Sequence, residues 1–168
     1  LNNNFLKIAE TYYKNLEKIF FNKEKLKHTI LKSEVFLEDY AYSIAMLLDL
    51  YDQTLKPNYL FKAKELCKQT IKLFYVKEQS IFQKNIVADN DLFHEPIDIS
   101  DGNIPNGNSI MLLNFSRLKM KEEAKELSDS LNGYLNIYQS LMASALKSID
   151  YFDTINSNKK CTDEGCLV

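Results

Sequence analysis

Apolar residues recur at three- and four-residue steps through most of this chain, and no other feature of the sequence constrains the fold more strongly. This spacing places apolar side chains on one face of an α-helix, where they can pack against another element. The first such set is Phe5, Ile8, Tyr12, Leu16 and Ile19. The periodic stretches predict six helices, at about residues 2–21, 36–55, 57–75, 105–118, 121–136 and 138–152.

The composition is that of one ordinary domain. The chain has 168 residues, of which 45% are hydrophobic, and this is enough to fill a core. The formal net charge is −2 with acids and bases interspersed, which argues against nucleic acid and against an anionic membrane as partners. No apolar run approaches the roughly 20 residues that span a bilayer, and the N-terminus lacks the pattern of a signal peptide. We therefore expect a cytoplasmic protein with no membrane or nucleic-acid partner. Because the first residue is Leu1, we expect the sequence to be a piece of a longer chain.

The links between the predicted helices alternate in length. Short turns join the second helix to the third and the fourth to the fifth, whereas long polar links follow the first and third helices. The link at 76–105 has about 30 residues, far above the usual median of about five, and SIFQKNIV within it can form a strand or hairpin. Short turns at one end and long, pocket-lining loops at the other are typical of an α/α toroid. A plain helical bundle is the simpler alternative, but it seldom has so long a crossover. We therefore predict an all-α fold of antiparallel helical hairpins that form part of an (α/α)6 toroid.

Turn-forming residues are concentrated in SDGNIPNGNSIM, residues 100–111, which holds two of the four glycines and one of the three prolines. Gly102 and Gly107 permit a positive φ and the close approach of a ligand. Asn108 and Ser109 offer hydrogen-bonding groups where the fourth helix begins. The simpler interpretation is that Asp101, together with nearby asparagines, only caps that helix. In either case we predict an ordered loop that leads into the fourth helix.

A pair of carboxylates is the best candidate for catalysis. Glu38, Asp39 and Tyr40 begin the second helix, at the same inferred end of the molecule as the loop. Two carboxylates that share a polar pocket can act on a sugar if repulsion raises the pKa of one, so that it serves as a general acid. We therefore predict that Asp39 and Asp101 face one pocket. The alternative is that first-turn acids only stabilise their helix through its dipole.

The histidines and cysteines give weaker signals. His28 and His94 fall in no catalytic motif, so an ordinary loop role is favoured for both. Cys67 lies in a helical pattern and is expected in the core. Cys161 and Cys166 can form a disulfide or supply half of a zinc site, but no second pair completes such a site, and a reduced tail is favoured. We expect no metal and no cofactor.

Three stretches of the sequence resemble one protein family. FLEDYA at 36–41 is similar to a family phrase FLDDYA, and EPIDISDGNIPNGNS at 95–109 is similar to RPKExxDGxxPSGNS. Cys161 and Cys166 keep the family's C-x4-C spacing near the end of the chain. The chain thus resembles the YyaL-like, spermatogenesis-associated thioredoxin-domain proteins, in the C-terminal part of their six-hairpin toroid.

The resemblance implies a fold and a function. It implies toroid hairpins at 1–153, followed by a flexible tail at 154–168, and a missing N-terminal part with a thioredoxin-like domain. Because the toroid is similar to N-acylglucosamine 2-epimerases and six-hairpin glycosidases, the implied activity is the binding or processing of a small carbohydrate. The alternative is a non-enzymatic scaffold for the thioredoxin-like domain. The expected binding residues are Glu38, Tyr40, Gly102, Pro105, Gly107, Asn108 and Ser109.

Departures from the family phrase alter the expected pocket. Glu95 and Ile97 stand where the family has basic residues, and Asn106 replaces a serine. These changes remove two positive charges, so a ligand of this chain need not be anionic. Because three hairpins cannot close a six-hairpin ring, we also expect an exposed apolar face. Such a face would bind the missing N-terminal part or a second copy of the chain. The isolated fragment is expected to be inactive.

Overall fold

The computed structural model describes residues 3–21, 26–29, 35–86, 97 and 99–157. Within them the chain forms six α-helices, one short hairpin and a 3-10 turn at Gln139–Leu141, which confirms the predicted all-α class. The helices are α1 (Asn3–Phe20), α2 (Leu37–Thr54), α3 (Pro57–Phe74), α4 (Gly107–Leu118), α5 (Lys121–Tyr138) and α6 (Ala143–Asn156), and the strands are β1 (Tyr75–Val76) and β2 (Ile81–Phe82).

Local sequence explains where most of these helices begin and end. α2 ends at Thr54, because the next residue, Leu55, has a left-handed φ of 54°. Pro57 is the first residue of α3, a position where the missing N–H of proline has no partner within the helix and is not needed. The start of α6 was predicted wrongly. The helix begins at Ala143 rather than near Tyr138, because the 3-10 turn intervenes. α6 also continues past residue 153, where we had expected the tail to begin.

The predicted strand within SIFQKNIV is confirmed as β2, which pairs antiparallel with β1. Tyr75 lies opposite Phe82, and both residues of β2 are fully buried. The Phe82 ring packs against Phe115 of α4, with 5.8 Å between ring centroids. The first part of the long link is therefore anchored to the core, and it does not form a separate surface loop.

The even-numbered helices α2, α4 and α6 lie parallel in a row, with their N-termini at one end of the molecule. Gly107 at the start of α4 approaches Leu37 at the start of α2, and Asp101 joins the starts of α4 and α6 through Asn106 and Ser144. At the opposite end, Arg117 of α4 forms ion pairs with two carboxylates near the end of α2. α3 packs on α2 and α5 packs on α4.

The first helix packs differently from the others. The apolar residues predicted from its periodicity are exposed to solvent: Phe5, Ile8, Tyr12, Leu16 and Ile19. We call this set the α1 stripe. α1 is attached to the body through the buried ring of Tyr13 and through polar contacts with α3. Glu10 accepts hydrogen bonds from Lys56 and Tyr59, and Glu17 accepts from Lys62 and Tyr13.

Two glycines should respond in opposite ways to replacement by alanine. A Cβ at Gly107 would lie 2.8 Å from Cγ and Cδ2 of the buried Leu37, so we expect Gly107→Ala to lower the free energy of unfolding by about 1–3 kcal/mol. At Gly133, in exposed α5, a Cβ would meet nothing within 4 Å, so Gly133→Ala should raise it by about 0.5–1 kcal/mol. Urea denaturation of both variants measures these changes. A neutral Gly107→Ala would contradict the close approach of α4 to α2.

Candidate functional site

In the part of the chain that the structure describes, an open groove at the N-terminal end of α2 brings together a group of chemically active side chains. It has a volume of about 540 Å³. Two carboxylates, an imidazole, a phenol, an amine and a hydroxyl meet there, beside one aromatic and one aliphatic side chain. The lining residues are His28, Phe36, Glu38, Asp39, Tyr42, Ser43, Lys84 and Ile104, and we call this cavity the His28 groove.

His28 and Asp39 form the central contact of the site. The Nδ1 atom of His28 lies 2.8 Å from Oδ2 of Asp39 and 3.1 Å from its Oδ1. A smaller cavity of about 220 Å³ lies on the other side of this pair, between the pair and the end of α1. His28, Asp39 and Ser43 line both cavities, so the pair forms their common wall.

The segment that carries His28 is held by the core. The backbone N–H of Leu26 donates to Oη of Tyr40 at 2.8 Å, and the Leu26 side chain is buried. The His28 ring packs edge-on against Phe36, with 4.6 Å between centroids. The imidazole is therefore positioned by two independent contacts, the aromatic one and the carboxylate of Asp39.

Tyr42 connects the groove to the loop before α4. Its hydroxyl donates a hydrogen bond to the carbonyl oxygen of Pro105 at 2.9 Å. Partial burial raises the pKa of Tyr42, and the negative charges of Asp101 and Glu38 raise it further. The phenol therefore stays protonated and can act as a hydrogen-bond donor at neutral pH. Ile104 of the same loop lines the groove and is exposed.

The geometry of the His28–Asp39 pair suits proton transfer. When Asp39 accepts a hydrogen bond from Nδ1–H, the proton of the neutral ring is held there and Nε2 carries the lone pair. An imidazole oriented by a carboxylate in this way can serve as a general base toward a molecule in the groove.

Asp101 lies near the His28 groove but does not line it, and its role is structural, which corrects the predicted catalytic pair. Its carboxylate accepts hydrogen bonds from the N–H of Ser144 at 2.7 Å, from Oγ of Ser144, and from both nitrogens of Asn106 at 3.1 and 3.0 Å. Partial burial raises the pKa of Asp101, but these hydrogen bonds together outweigh it and hold the pKa below 3.8. A general acid needs the opposite shift. Asp101 is also absent from the described lining of both the His28 groove and the smaller cavity beside it.

Four of the expected binding residues are buried. Tyr40 lies fully inside the core against Phe74, and Gly107 packs on Leu37 rather than on a ligand. Asn108 is also fully buried, and Ser109 lies inside the first turn of α4. Since a ligand cannot reach these side chains, the expectation that they bind one is not met.

The loop is ordered as predicted, but its polar residues act mainly within the fold. Asn106 caps α4, because its side-chain oxygen accepts from the N–H of Ser109 at 3.0 Å. Gly102 and Pro105 are exposed near the groove, and neither Gly102 nor Gly107 has a left-handed φ. The contribution of the loop to the groove is Ile104 and the Pro105 carbonyl.

The sequence contained a signal for some of the groove residues that we did not predict. Tyr42 and Ser43 follow Asp39 by three and four positions, so they share its face of α2. His28 and Lys84 carried no such signal, because their positions depend on non-helical links. His94, Glu95, Cys161 and Cys166 lie outside the described residues, whereas Ile97 packs against the core.

Cys67 is the buried core residue that its helical position predicted. Its sulfur lies 3.7 Å from that of Met120, and burial, together with the charge of Glu123, raises the pKa of the thiol to about 12. Such a thiol is not a nucleophile at neutral pH. No group of three or more His, Cys, Asp or Glu side chains in the described part of the chain is placed to hold a metal ion.

A further cavity, of about 390 Å³, lies at the opposite end of the helix row. Phe115, Met120 and Phe152 contribute to its wall, and its described lining contains no carboxylate and no imidazole. The His28 groove is therefore the better candidate for binding a polar molecule. No helix among the described residues is both long enough and apolar enough to cross a bilayer.

No protein-family model matches the chain, and no curated protein matches it at a significant level.

Proposed function

We propose that the protein binds a small carbohydrate in the His28 groove and moves a proton on it. The observation that carries this proposal is the His28–Asp39 contact at 2.8 Å in an open groove that also holds Glu38, Tyr42 and Lys84. This is the place in the described structure where an oriented imidazole, carboxylates and an aromatic face meet.

The groove offers the groups that recognise a polyhydroxylated molecule. The carboxylates of Glu38 and Asp39 accept hydrogen bonds from sugar hydroxyls, and such charge-assisted bonds are the stronger kind. Ser43 supplies a hydroxyl, and Phe36 supplies an apolar surface for the C–H face of a sugar ring. A mixed lining of this kind favours a neutral sugar over a strongly anionic one.

The chemistry we propose is an isomerase-type proton transfer. Nε2 of His28 removes the proton from C2 of an open-chain aldose, and the electron pair of the broken C–H bond forms the C1–C2 double bond of an enediolate with its charge on O1. The imidazolium then returns the proton to C1, while the proton of the O2 hydroxyl moves to O1, so that C2 becomes the carbonyl carbon of the ketose. Asp39 stabilises the imidazolium while it carries the proton. Glycoside hydrolysis is less favoured, because the carboxylate pair predicted for it is divided: Asp101 caps α6, and Asp39 is in contact with His28.

We further propose that the chain is the C-terminal part of a toroid of the YyaL-like family. The parallel row of α2, α4 and α6 supports this proposal, because it matches the inner layer of such a toroid, with α3 and α5 outside it. The groove lies at the end of the row where these helices begin, which is where the long links occur.

A second candidate is a non-enzymatic interaction domain. The α1 stripe favours it, since five large exposed apolar side chains on one helix are typical of a contact surface. The two candidate functions depend on different parts of the molecule. The first depends on the His28 groove, and the second depends on the α1 stripe.

Binding to monosaccharides tests the first candidate. For an aldose or ketose that binds wild type, we expect Asp39→Asn and Glu38→Gln each to weaken binding about tenfold or more, because a hydrogen bond to a charged group contributes about 1.5–3 kcal/mol. Asp129→Asn on exposed α5 makes the same change in charge and should leave binding unchanged. Isothermal titration calorimetry measures all three. Equal losses in the three variants, or no binding of any aldose or ketose at millimolar concentration, would reject the proposal.

Proton transfer is tested separately from binding. In D2O, wild-type protein should catalyse incorporation of deuterium at the carbon next to the sugar carbonyl, and His28→Ala should lose this exchange while it still binds the sugar. Exchange that is unaffected by His28→Ala would exclude His28 as the base and would leave the binding site in place.

A further inference from the structure

We propose that the α1 stripe is the interface of a two-fold symmetric dimer, in which α1 packs antiparallel against α1 of a second copy of this chain. The side chains of the stripe are, on average, about half exposed, and the most exposed are Phe5 at 63% and Tyr12 at 67%. They follow one another at helical steps, so they form a continuous apolar seam about 21 Å long.

The spacing of the stripe points to a second copy as its occupant. The stripe is symmetric about Tyr12: Ile8 and Leu16 lie four positions to either side, and Phe5 and Ile19 lie seven positions to either side. A two-fold axis beside Tyr12 therefore places Ile8 at the level of Leu16 of the second copy, and Phe5 at the level of Ile19. In a two-fold interface each patch must complement itself, and this symmetry provides the match.

The charges of α1 are also compatible with self-pairing. The two acids, Glu10 and Glu17, are directed away from the stripe, toward Lys56 just before α3 and Lys62 within it. The positions nearest the stripe on its two sides are Ala9 and Asn15, which carry no charge. The lysines of α1 lie roughly 140° around the helix from the centre of the stripe, at about 100° per residue. Lys7 also borders the cavity beside Tyr12, but a two-fold axis at Tyr12 places it at the level of Glu17 of the second copy, so like charges do not lie opposite each other there.

The surface beside Tyr12 can receive a side chain from a second helix. A shallow cavity on the outer face of α1 is lined by Ile8, Thr11, Tyr12 and Asn15, together with Lys7. The first four are spaced i, i+3, i+4 and i+7, like the four residues around a hole in knobs-into-holes packing. At the other end of the stripe, Leu16 lines the smaller cavity beside the His28–Asp39 pair. The dimer therefore places Phe5 of the second copy close to that cavity.

Sedimentation equilibrium of the chain and two variants tests the interface. We expect wild type to approach twice its mass of 19.6 kDa as its concentration rises to tens of micromolar. Tyr12→Glu should remain monomeric, while Phe61→Glu should dimerise like wild type, since Phe61 is matched in exposure, at 66%, but lies on α3. Unchanged circular dichroism of Tyr12→Glu shows that it folds. A monomeric wild type, as expected if the stripe takes another segment of a longer chain, overturns the proposal, and so does a Tyr12→Glu variant that still dimerises.

A pair of double variants tests the antiparallel register. Ile8→Lys combined with Leu16→Glu places opposite charges at the same level across the two-fold axis, so it should retain the dimer. Ile8→Lys combined with Leu16→Lys places like charges there and should abolish it. Dimerisation that is equal in the two double variants contradicts the register, because a parallel pairing would instead bring each substituted position against its own copy.

Discussion

Replacing Asn108 by leucine is expected to lower the free energy of unfolding by about 3 kcal/mol. The fully buried Asn108 amide accepts from the N–H of Phe82 at 2.9 Å and donates to its carbonyl oxygen at 2.9 Å. It thus pairs with β2 as a neighbouring strand would. Leucine has a similar volume but leaves both backbone groups of Phe82 buried without this partner, at about 1–3 kcal/mol each.

The measurement for Asn108→Leu is thermal unfolding followed by circular dichroism. For a chain of this size, the expected destabilisation corresponds to a fall in Tm of roughly 6–12 °C. Asn132→Leu, at an exposed position of α5, is the matched control and should change Tm little. A Tm for Asn108→Leu within a degree of the control would mean that the amide does not hold β2 in the core.

The second large effect is expected at Asp101. We expect Asp101→Asn to lower the free energy of unfolding at neutral pH by about 2–3 kcal/mol, because Asp101 is the one carboxylate in the described structure that joins the starts of α4 and α6. Asp150→Asn, an exposed change of the same type on α6, should cost less than about 0.5 kcal/mol. Urea denaturation gives both values.

The effect of Asp101→Asn should also depend on pH. Because the pKa of Asp101 is lowered in the folded state, its ionised form stabilises the fold fully above the ordinary value of 3.8, and this stability is lost as pH falls through the lower folded value. The difference in unfolding free energy between wild type and Asp101→Asn should therefore be constant above about pH 5 and should shrink below pH 3.8. A difference that grows on acidification would contradict the lowered pKa.

Helices could be predicted from the sequence because their signal is local. α3 begins at Pro57 and α5 begins at Lys121, as predicted. The apolar spacing of each helix repeats within a few residues, so it can be recognised without knowledge of the fold. The start of α6 could not be predicted in this way, because it depends on the 3-10 turn and on Asp101, which reaches Ser144 across 43 positions.

Burial was harder to predict than helix formation. Periodicity shows which side chains share a face, but it does not show what covers that face. The α1 stripe has an ideal apolar spacing and yet is exposed, whereas Tyr40, which we expected to contact a ligand, is enclosed by the core. Its hydroxyl is satisfied there by the N–H of Leu26, a contact between two segments with no periodic relation.

Only part of the candidate site could be predicted, because some of its residues have a local signal in the sequence and others do not. Asp39 and Glu38 were accessible to prediction because first-turn acids of a helix are visible in the sequence. Their partner His28 lies eleven positions away across a non-helical link, and only the fold brings it within 2.8 Å of Asp39.

The central claim is that a sugar binds beside the His28–Asp39 pair, and chemical-shift mapping tests it most directly. ¹⁵N-labelled protein is titrated with the monosaccharide that binds in calorimetry, and the backbone amide shifts are followed. The account predicts saturable shifts clustered at 27–29, 36–43, 84 and 104. Saturable shifts clustered instead around Phe115, Met120 and Phe152, in the cavity at the opposite end, would contradict it.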